Sequence, residues 1–253
     1  MFAKKTVLIT GASSGLGKAM AEHFLAKGAN VVINGRTASK LEKFLAEHPA
    51  DKDRIALAPG DISLKTTSDN MARVAMEKFG TIDVLINNAG IFVPKPFLDE
   101  TEENLDRYYA SGVKGPYFAS QAVIPTMIKQ GGGSIINIGS MWVEHPLEAT
   151  PSSASQVAKG GMHTLTRHLA IEFAKDNIRV NTIAPGVIET PLYDELMDKE
   201  AFRALANLHP LRKLGKISDI VAWADMLAGE GSRFVTGQTL LVDGGITAGN
   251  HVI

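Results

Sequence analysis

A glycine-rich turn near the start of the chain limits its possible folds more than any other feature. Residues 10–17 read TGASSGLG and follow a short apolar run at residues 6–9, which predicts a buried strand. Over residues 16–27, apolar residues recur at a spacing typical of a helix. The glycines therefore lie on a tight connection from a strand to a helix.

The chemistry of this turn suits an anionic ligand. Gly11 can adopt backbone angles that other residues avoid, and the missing side chains at Gly15 and Gly17 allow a ligand to approach the backbone. The N-terminus of the helix adds free N–H groups and the positive end of the helix dipole. The turn therefore predicts a diphosphate site, although a tight turn that binds nothing has the same pattern. The candidate binding residues are Gly11, Ser13, Ser14, Gly15, Leu16 and Gly17.

Composition and charge exclude several classes of protein. The 253 residues are 45% hydrophobic, which suits one α/β domain spanning residues 1–253. Lys and Arg total 26 against 27 Asp and Glu, with no basic block, so a nucleic-acid partner is not expected. The chain has no cysteine, which excludes disulfides and cysteine catalysis, and no metal site is predicted.

The sequence offers no signal for a membrane or for export. No apolar run approaches the roughly 20 residues of a membrane span. Residues 1–5 lead directly into the first predicted strand, which leaves no room for a signal peptide. We therefore expect a cytoplasmic protein with no membrane partner.

Strand and helix patterns alternate along the whole sequence. Strands are predicted at residues 6–9, 30–34, 55–58, 84–87, 134–138, 179–184 and 239–242. Helices are predicted at residues 16–27, 37–48, 64–79, 102–111, 117–129, 155–175 and 217–228, with Gly112, Gly115 and Pro116 separating the fourth helix from the fifth. The alternation predicts a doubly wound, Rossmann-type α/β fold with a seven-stranded parallel sheet and helices on both faces. Ligands of such sheets bind outside the carboxyl ends of the strands, so site residues are expected just after each strand.

Two of the predicted strand ends carry charged residues. Arg36 follows the second strand, at the point where an acidic residue would bind the ribose 2′-hydroxyl of NAD. Its guanidinium could instead bind a 2′-phosphate, which favours NADP(H) over NAD(H); the alternative is a solvated arginine at a helix start. Asp61 and Ile62 follow the third strand, where the Asp61 carboxylate could accept a bond from the adenine amino group or cap the next helix.

Small residues follow the fourth strand. Asn88, Ala89 and Gly90 would allow a ribose or a flat ring to lie close to the backbone, and an ordinary asparagine turn is the alternative. Together with the turn at residues 10–17, these strand ends resemble the short-chain dehydrogenase/reductase family. The match continues through GSIINIGS at 133–140, KGG at 159–161, RVN at 179–181, PG at 185–186, TGQ at 236–238 and VDGG at 242–245. The resemblance covers essentially the whole chain.

This resemblance implies an activity and an assembly. Members of the family transfer a hydride between a nicotinamide cofactor and a carbonyl or alcohol group of a small-molecule substrate. The resemblance also implies cofactor contacts at Lys159, Pro185, Gly186, Ile188 and Thr190. It further suggests a homo-oligomer, a tetramer or a dimer, with residues 242–253 at an interface.

Two catalytic positions of the family match and two differ. Ser140 matches the serine that polarises the carbonyl, and Lys159 matches the lysine that lowers the tyrosine pKa and holds the nicotinamide ribose. The tyrosine itself is replaced by Ser155, four residues before Lys159 on the same helix face. A serine hydroxyl is shorter and a far weaker acid than a phenol, whose ordinary pKa is about 10. The family's upstream asparagine is replaced by Gly112, or by Ser111 if the alignment slips by one residue.

Other groups could supply the proton that the tyrosine normally provides. His145, Tyr193 and water are candidates, although an exposed loop histidine is the simpler interpretation of His145. An apolar substrate is a further possibility. The residues that could line an apolar pocket, or could equally be ordinary packing, are Phe92, Trp142, Leu147 and Met197.

Two functional hypotheses follow from these residues. The first is an NADP(H)-dependent oxidoreductase with an altered proton donor, whose catalytic set would be Ser140, Lys159 and Ser155. The second is a catalytically silent relative that acts as an NADP-binding sensor or as an interaction scaffold. The paired replacements at Ser155 and Gly112 favour the second hypothesis.

Overall fold

A seven-stranded sheet forms the centre of the computed structural model, which describes residues 2–148, 150–191 and 197–249. The strands are β1 Thr6–Ile9, β2 Asn30–Gly35, β3 Ile55–Pro59, β4 Val84–Asn87, β5 Gly133–Ile138, β6 Ile178–Pro185 and β7 Thr239–Val242. Their order is β3-β2-β1-β4-β5-β6-β7, and every neighbouring pair is parallel. The predicted parallel sheet is therefore confirmed. The strand order reverses between β1 and β4, which is where such sheets form a ligand crevice.

Helices cover both faces of the sheet. They are α1 Gly15–Ala26, α2 Ala38–Glu47, α3 Lys65–Phe79, α4 Glu102–Tyr109, α5 Gly115–Gln130, α6 Ser153–Glu172, α7 Lys199–Ala204 and α8 Ile217–Ala228. Buried side chains of α1, α2 and α8 pack on one face, and those of α3, α5 and α6 pack on the other. Successive residues of β1 alternate accordingly, since Val7 and Ile9 join the first core and Leu8 joins the second. Among the described residues, no helix is both long enough and apolar enough to cross a membrane.

The predicted break between α4 and α5 is wrong. A π-helical segment, Ala110–Lys114, joins the two helices into one continuous helical path. Pro116, which has no N–H to donate, follows the π-helical segment in the first turn of α5. Gly112 lies where this segment approaches α6, because a Cβ added to it would be 2.9 Å from the Cβ of Ala158. The glycine therefore permits a close contact between helices instead of ending one.

Candidate functional site

A cleft of about 710 Å³ opens at the carboxyl ends of the central strands. It brings together segments that are far apart in sequence, as expected for a site at the crevice of a doubly wound sheet. The predicted site residues that line it are Gly11, Ser13, Ser14, Gly15, Leu16, Arg36, Asp61, Ile62, Asn88, Ala89, Gly90, Ser140, Ser155, Lys159, Pro185, Gly186, Ile188 and Thr190. Gly17 does not line the cleft and lies behind the turn.

The glycine-rich turn forms an open cradle at one end of this cleft. Gly11 and Gly15 have φ angles of +65° and +53°, in the left-handed region that favours glycine. A Cβ added to Gly15 would meet only Pro191 Cδ, at 4.0 Å, so this part of the backbone faces open space. No side chain caps α1 at Ser14, which leaves the N–H groups of its first turn available. The turn therefore fits the diphosphate that its sequence predicts.

Gly17 has a packing role. A Cβ at this position would lie 2.4 Å from Gly11 O and 2.5 Å from Asn88 Nδ2. The glycine thus allows α1 to begin directly against the turn. This contact explains why Gly17 belongs to the pattern without facing the cleft.

Gly17→Ala is expected to lower the free energy of unfolding by about 1–3 kcal/mol, because the added methyl group overpacks this contact. Gly160→Ala is the matched control, since it lies inside α6 and its added Cβ meets nothing nearer than Val143 Cγ1 at 3.8 Å. The control is expected to gain about 0.5–1 kcal/mol from improved helix propensity. Urea unfolding followed by circular dichroism measures both values. Equal losses in the two variants would contradict the packing role of Gly17.

Hydrogen bonds tie the ends of β1 and β4 together below the cleft. Thr10 Oγ1 accepts from the N–H groups of Asn88 and Ala89, each at 3.0 Å. Asn88 Nδ2 donates to Thr10 O at 3.0 Å and to Gly11 O at 3.2 Å. The Asn88 amide group therefore holds the glycine turn in place through bonds to a distant segment. Ala89 and Gly90 form part of the cleft wall beside it.

Two cationic side chains line the cleft beyond β2. Arg36 follows the strand directly, and Lys40 lies one helical turn further on, within α2. Both are exposed. Lys40 was not predicted, because it lies inside α2 and does not directly follow a strand. Their combined charge favours an anionic group at this end of the cleft.

Asp61 does not cap the helix that follows it. Its Oδ1 accepts from the N–H of Ser63 at 2.9 Å, and α3 begins at Lys65 with Leu64 in the capping position. The helix-cap alternative for Asp61 is therefore wrong. The Asp61 side chain lies at the cleft, beside Ile62.

The side chain of Lys159 lines the cleft, and its ammonium group bonds to the end of β5. Its Nζ donates to Ile138 O at 2.5 Å, and a Cβ added to Gly90 would lie 3.6 Å from it. The Lys159 residue is half-buried, and protein around its ammonium group partly removes that group from water. This desolvation lowers the pKa of Lys159 from 10.5 to about 8. A lysine with such a pKa can exchange a proton near neutral pH.

Ser140 presents its hydroxyl group to the same cleft. Its Oγ accepts from the N–H of Trp142 at 3.2 Å, which leaves the hydroxyl proton free to bond a substrate oxygen. Ser155 is buried and also lines the cleft, at the position predicted for the missing tyrosine. Of the two alternatives for the asparagine, Ser111 lines the cleft and Gly112 does not. Ser111 Oγ donates to Arg107 O at 2.9 Å.

His163 is a polar residue of the site that the sequence analysis missed. Its Nε2 accepts from the N–H of Ser140 at 3.3 Å, and its Nδ1 lies 3.4 Å from Glu144 Oε1. Burial lowers the pKa of His163, so the neutral ring is favoured. Its spacing could have revealed it, because Ser155, Lys159 and His163 recur every four residues along α6.

The wall of the cleft mixes apolar and polar groups. Phe92 and Trp142 line it, as expected for an apolar pocket, but Ser111, Ser155 and Gln156 line it too. Gln156 Oε1 is buried and has no hydrogen-bond partner among the described residues. Not all the sequence candidates lie here: Leu147, Met197 and His145 are not among the lining residues, and Tyr193 lies outside the described residues.

The described residues contain no group of three or more His, Asp or Glu side chains arranged to hold a metal ion. The predicted interface at residues 242–253 is described only as far as Gly249. Within it, Asp243 is buried and accepts from the N–H groups of Gly245 and Thr247, each at 2.9 Å. These bonds hold the segment after β7 in a turn.

Comparison with known proteins shows similarity over nearly the full chain. The family profile described as enoyl-(acyl carrier protein) reductase matches residues 11–247. L-Rhamnose-1-dehydrogenase of Scheffersomyces stipitis is 38% identical over 252 residues, which cover 96% of this chain and 95% of that protein. The solved structure of gluconate 5-dehydrogenase from Burkholderia cenocepacia, in complex with NADP and tartrate, gives a TM-score of 0.90 at 30% identity and covers 98% of this chain and 97% of that one. L-Sorbose reductase from Gluconobacter frateurii, complexed with NADPH and L-sorbose, gives a TM-score of 0.90 at 27% identity and covers 98% of both chains.

Proposed function

The chain belongs to the short-chain dehydrogenase/reductase family, and from this membership we propose that it is an NADP(H)-dependent oxidoreductase with an altered proton donor. It would transfer a hydride to or from a carbonyl or alcohol group of a small molecule. The observation that carries the proposal is that Ser140 and Lys159 lie in the same cleft as the open glycine cradle. The relatives that bind NADP or NADPH support the choice of cofactor.

The residues of the cleft divide into regions that suit the parts of a dinucleotide. The glycine turn would hold the diphosphate, Asp61 and Ile62 the adenine, and Lys159 the nicotinamide ribose. The segment after β6 would border the nicotinamide, through Pro185, Gly186, Ile188 and Thr190. The bound cofactor would supply or accept the hydride.

The cationic pair beyond β2 supports a preference for NADP(H). Arg36 and Lys40 are both exposed at the cleft and both lie beside the start of α2. A 2′-phosphate would gain charge-assisted bonds from the Arg36 guanidinium and a favourable charge from Lys40. A free 2′-hydroxyl would find no carboxylate directly after β2.

Arg36→Asp is expected to weaken NADPH binding by about 10- to 100-fold, because charged hydrogen bonds of this kind contribute roughly 1.5–3 kcal/mol. NADH binding should tighten, since a carboxylate at this position can accept bonds from the ribose hydroxyls. Arg233→Asp, which changes an exposed arginine outside the cleft, is the matched control. Fluorescence titration with each cofactor measures the two affinities. An unchanged NADPH affinity in Arg36→Asp would remove the argument for a phosphate site.

The proton would come from Lys159 in place of a tyrosine. In carbonyl reduction, the Ser140 hydroxyl would donate a hydrogen bond to the carbonyl oxygen. Lys159 would pass a proton to that oxygen through one water molecule, because the Ser155 side chain is too short to fill the space of a phenol. The carbonyl becomes an alcohol, and Lys159 is left neutral until it takes a proton from solvent. The pKa of Lys159, about 8, suits this exchange.

The experiment that tests the proposal begins with cofactor binding. Trp142 lies in the cleft wall, so its fluorescence should respond when NADPH binds. Tight NADPH binding and weak NADH binding would support the proposal, and a panel of carbonyls and alcohols would then be assayed for NADPH oxidation or NADP reduction. If neither cofactor binds, the oxidoreductase assignment falls.

The second candidate function is that of a catalytically inactive protein that binds NADP(H) as a sensor or as an interaction scaffold. The replacement of both the tyrosine and the asparagine positions, by Ser155 and Gly112, favours it. Such a protein would bind NADPH but turn over no member of the panel, even at micromolar enzyme. Turnover that depends on Ser140 would exclude it.

A further inference from the structure

We propose that His163 is the positioning residue of this site: its neutral ring holds the backbone of Ser140 by accepting the Ser140 N–H. The functional importance of Ser140 rests on the proposed oxidoreductase activity, but the role of His163 is tested without it. His163 lies behind the cleft and not among its lining residues, so it would act through Ser140 and not on a substrate.

Three successive backbone groups at the end of β5 are each held by a different partner. Lys159 Nζ donates to Ile138 O at 2.5 Å, and the Gly139 N–H donates to Ile183 O at 2.7 Å. The Ser140 N–H donates to His163 Nε2 at 3.3 Å. Two of these partners come from adjacent turns of α6, so the helix that carries Lys159 also fixes Ser140.

The ring of His163 occupies space that only a glycine leaves open. A Cβ added to Gly139 would lie 2.2 Å from His163 Nε2 and 2.6 Å from Thr182 Cγ2. The ring is therefore packed against the backbone of Gly139, directly after β5. Only 1% of the residue is exposed, which leaves little freedom for the ring to turn away from Ser140.

The hydrogen bonds of the ring require one tautomer. Because Nε2 accepts from Ser140, the proton of the neutral ring must lie on Nδ1, which faces Glu144 Oε1 at 3.4 Å. Glu144 thus orients the ring, as carboxylates do for histidines in other sites. Glu144 follows the turn Met141–Val143, which is itself capped by Ser140 Oγ, so the histidine, the carboxylate and the serine form one local unit.

Charges around the ring act on its protonation in opposite directions. Desolvation lowers the pKa of His163, as do the positive charges of Lys159 and Arg167, whereas Glu144 raises it. On the β6 side, the uncharged Thr182 lies near the same point, since its Cγ2 would be 2.6 Å from a Cβ added to Gly139. The net effect keeps the ring neutral at neutral pH.

Protonation of His163 would break the hydrogen bond that its Nε2 accepts from the Ser140 N–H. A ring with N–H groups on both nitrogens cannot accept from Ser140, and its Nε2–H would point at the Ser140 N–H. Because the pKa of His163 is lower in the folded protein than in the unfolded chain, the unfolded state binds more protons as the pH falls below about 6.5. The free energy of unfolding should therefore begin to fall below about pH 6.5. The loss of order at Ser140 requires protonation of the folded protein, so it should appear only as the pH falls through the lowered pKa of folded His163.

Two variants distinguish a role of the hydrogen bond between His163 and Ser140 from a role of packing alone. His163→Gln keeps an acceptor near the position of Nε2 but cannot titrate, and His163→Leu removes the acceptor while still filling space. His168→Gln is the matched control, because His168 is an exposed histidine of the same helix. All are made in the full chain, and thermal unfolding shows which variants fold.

Hydrogen exchange of the Ser140 amide, followed by mass spectrometry on the protein without cofactor, is the primary measurement. In His163→Leu the amide should exchange about tenfold faster or more, the change expected for one lost hydrogen bond. His163→Gln should stay within about threefold of the unchanged protein, and His168→Gln should match it. Equal exchange in His163→Leu and the unchanged protein would overturn the proposal, as would equal acceleration in His163→Gln and His163→Leu.

Histidine NMR provides the second measurement. The ring signal assigned to His163, by its loss in His163→Gln, should titrate below the ordinary value of about 6.5, together with the Ser140 amide signal. A His163 signal that titrates without any shift of the Ser140 amide would overturn the proposal. Neither measurement needs a substrate. The role of His163 is therefore tested separately from the oxidoreductase assignment, and the failure of one does not imply the failure of the other. If a substrate is found, His163→Leu should lower kcat far more than it raises KM.

Discussion

Ser155→Tyr is expected to raise the rate of carbonyl reduction by about 10²- to 10⁴-fold, the range typical of a well-placed general acid. The substitution places a phenol on the helix face that also carries Lys159, four residues further on. Ser155 lines the cleft together with Ser140, so the new hydroxyl group would enter the space beside the serine. NADPH oxidation with the best carbonyl of the panel measures the effect.

Ser155→Phe is the matched control for this variant. It fills the same space without an acidic group, so it should give no gain and should block the water that we propose to relay the proton. A gain in both variants would indicate that the aromatic ring improves packing or substrate binding. No gain in Ser155→Tyr, with NADPH still bound, would show that the pocket has changed by more than one phenol.

The pH dependence of the unchanged enzyme should follow Lys159. Since its pKa is lowered to about 8 by desolvation, the proton-donating form is lost as the pH rises through 8. Carbonyl reduction should therefore fall above pH 8, and the fall should weaken in Ser155→Tyr, where the phenol takes over as the acid.

Lys159→Met is expected to have the second large effect, a loss of about 10²- to 10⁴-fold in reduction, because it removes the proposed proton donor. NADPH binding should weaken as well, since Lys159 is the proposed contact to the ribose. The same steady-state assay and fluorescence titration measure both losses. Retained reduction in Lys159→Met would exclude Lys159 as the source of the proton.

The same substitution should make the protein more stable at neutral pH, by about 0.5–2 kcal/mol, as in other cases where function opposes stability. The pKa of Lys159 is lowered although its ammonium group bonds Ile138 O, so folding disfavours the charged form overall. This penalty is complete below pH 8 and disappears between pH 8 and 10.5, where the unfolded chain gives up its extra proton. Urea unfolding at pH 7 and at pH 10.5 should therefore show a gain that shrinks at the higher pH. Lys129→Met, at an exposed lysine of α5, serves as the control.

Local patterns were enough to predict the sheet and the position of its cleft. Each strand is a short β-branched or apolar run, and the residues directly after the strands do line the cleft. That success has a physical basis, because parallel strands deliver their carboxyl ends to one edge of the sheet. The short helix α7 was missed, although Asp198 gives the signal of a helix cap by accepting from the N–H groups of Glu200 and Ala201.

The residues that were missed depend on contacts between distant segments. His163 contacts Ser140 from the inner side of α6. It does not directly follow a strand, which is where site residues were expected. The continuous helical path through Ala110–Lys114 was missed for a similar reason, since Gly112 was interpreted as part of a break between two helices. Its actual environment is the surface of α6 at Ala158, which no local pattern contains.

The contact between Gly112 and Ala158 also sets positions 112 and 155 apart as targets for substitution. Ser155 lines the cleft, so a larger side chain there adds bulk toward the cleft. A side chain at position 112 instead meets the Cβ of Ala158 at 2.9 Å, so the π-helical segment and α6 must move apart before it fits. A substitution at Gly112 therefore acts first on the spacing of two helical elements, whereas a substitution at Ser155 acts first on the shape of the cleft.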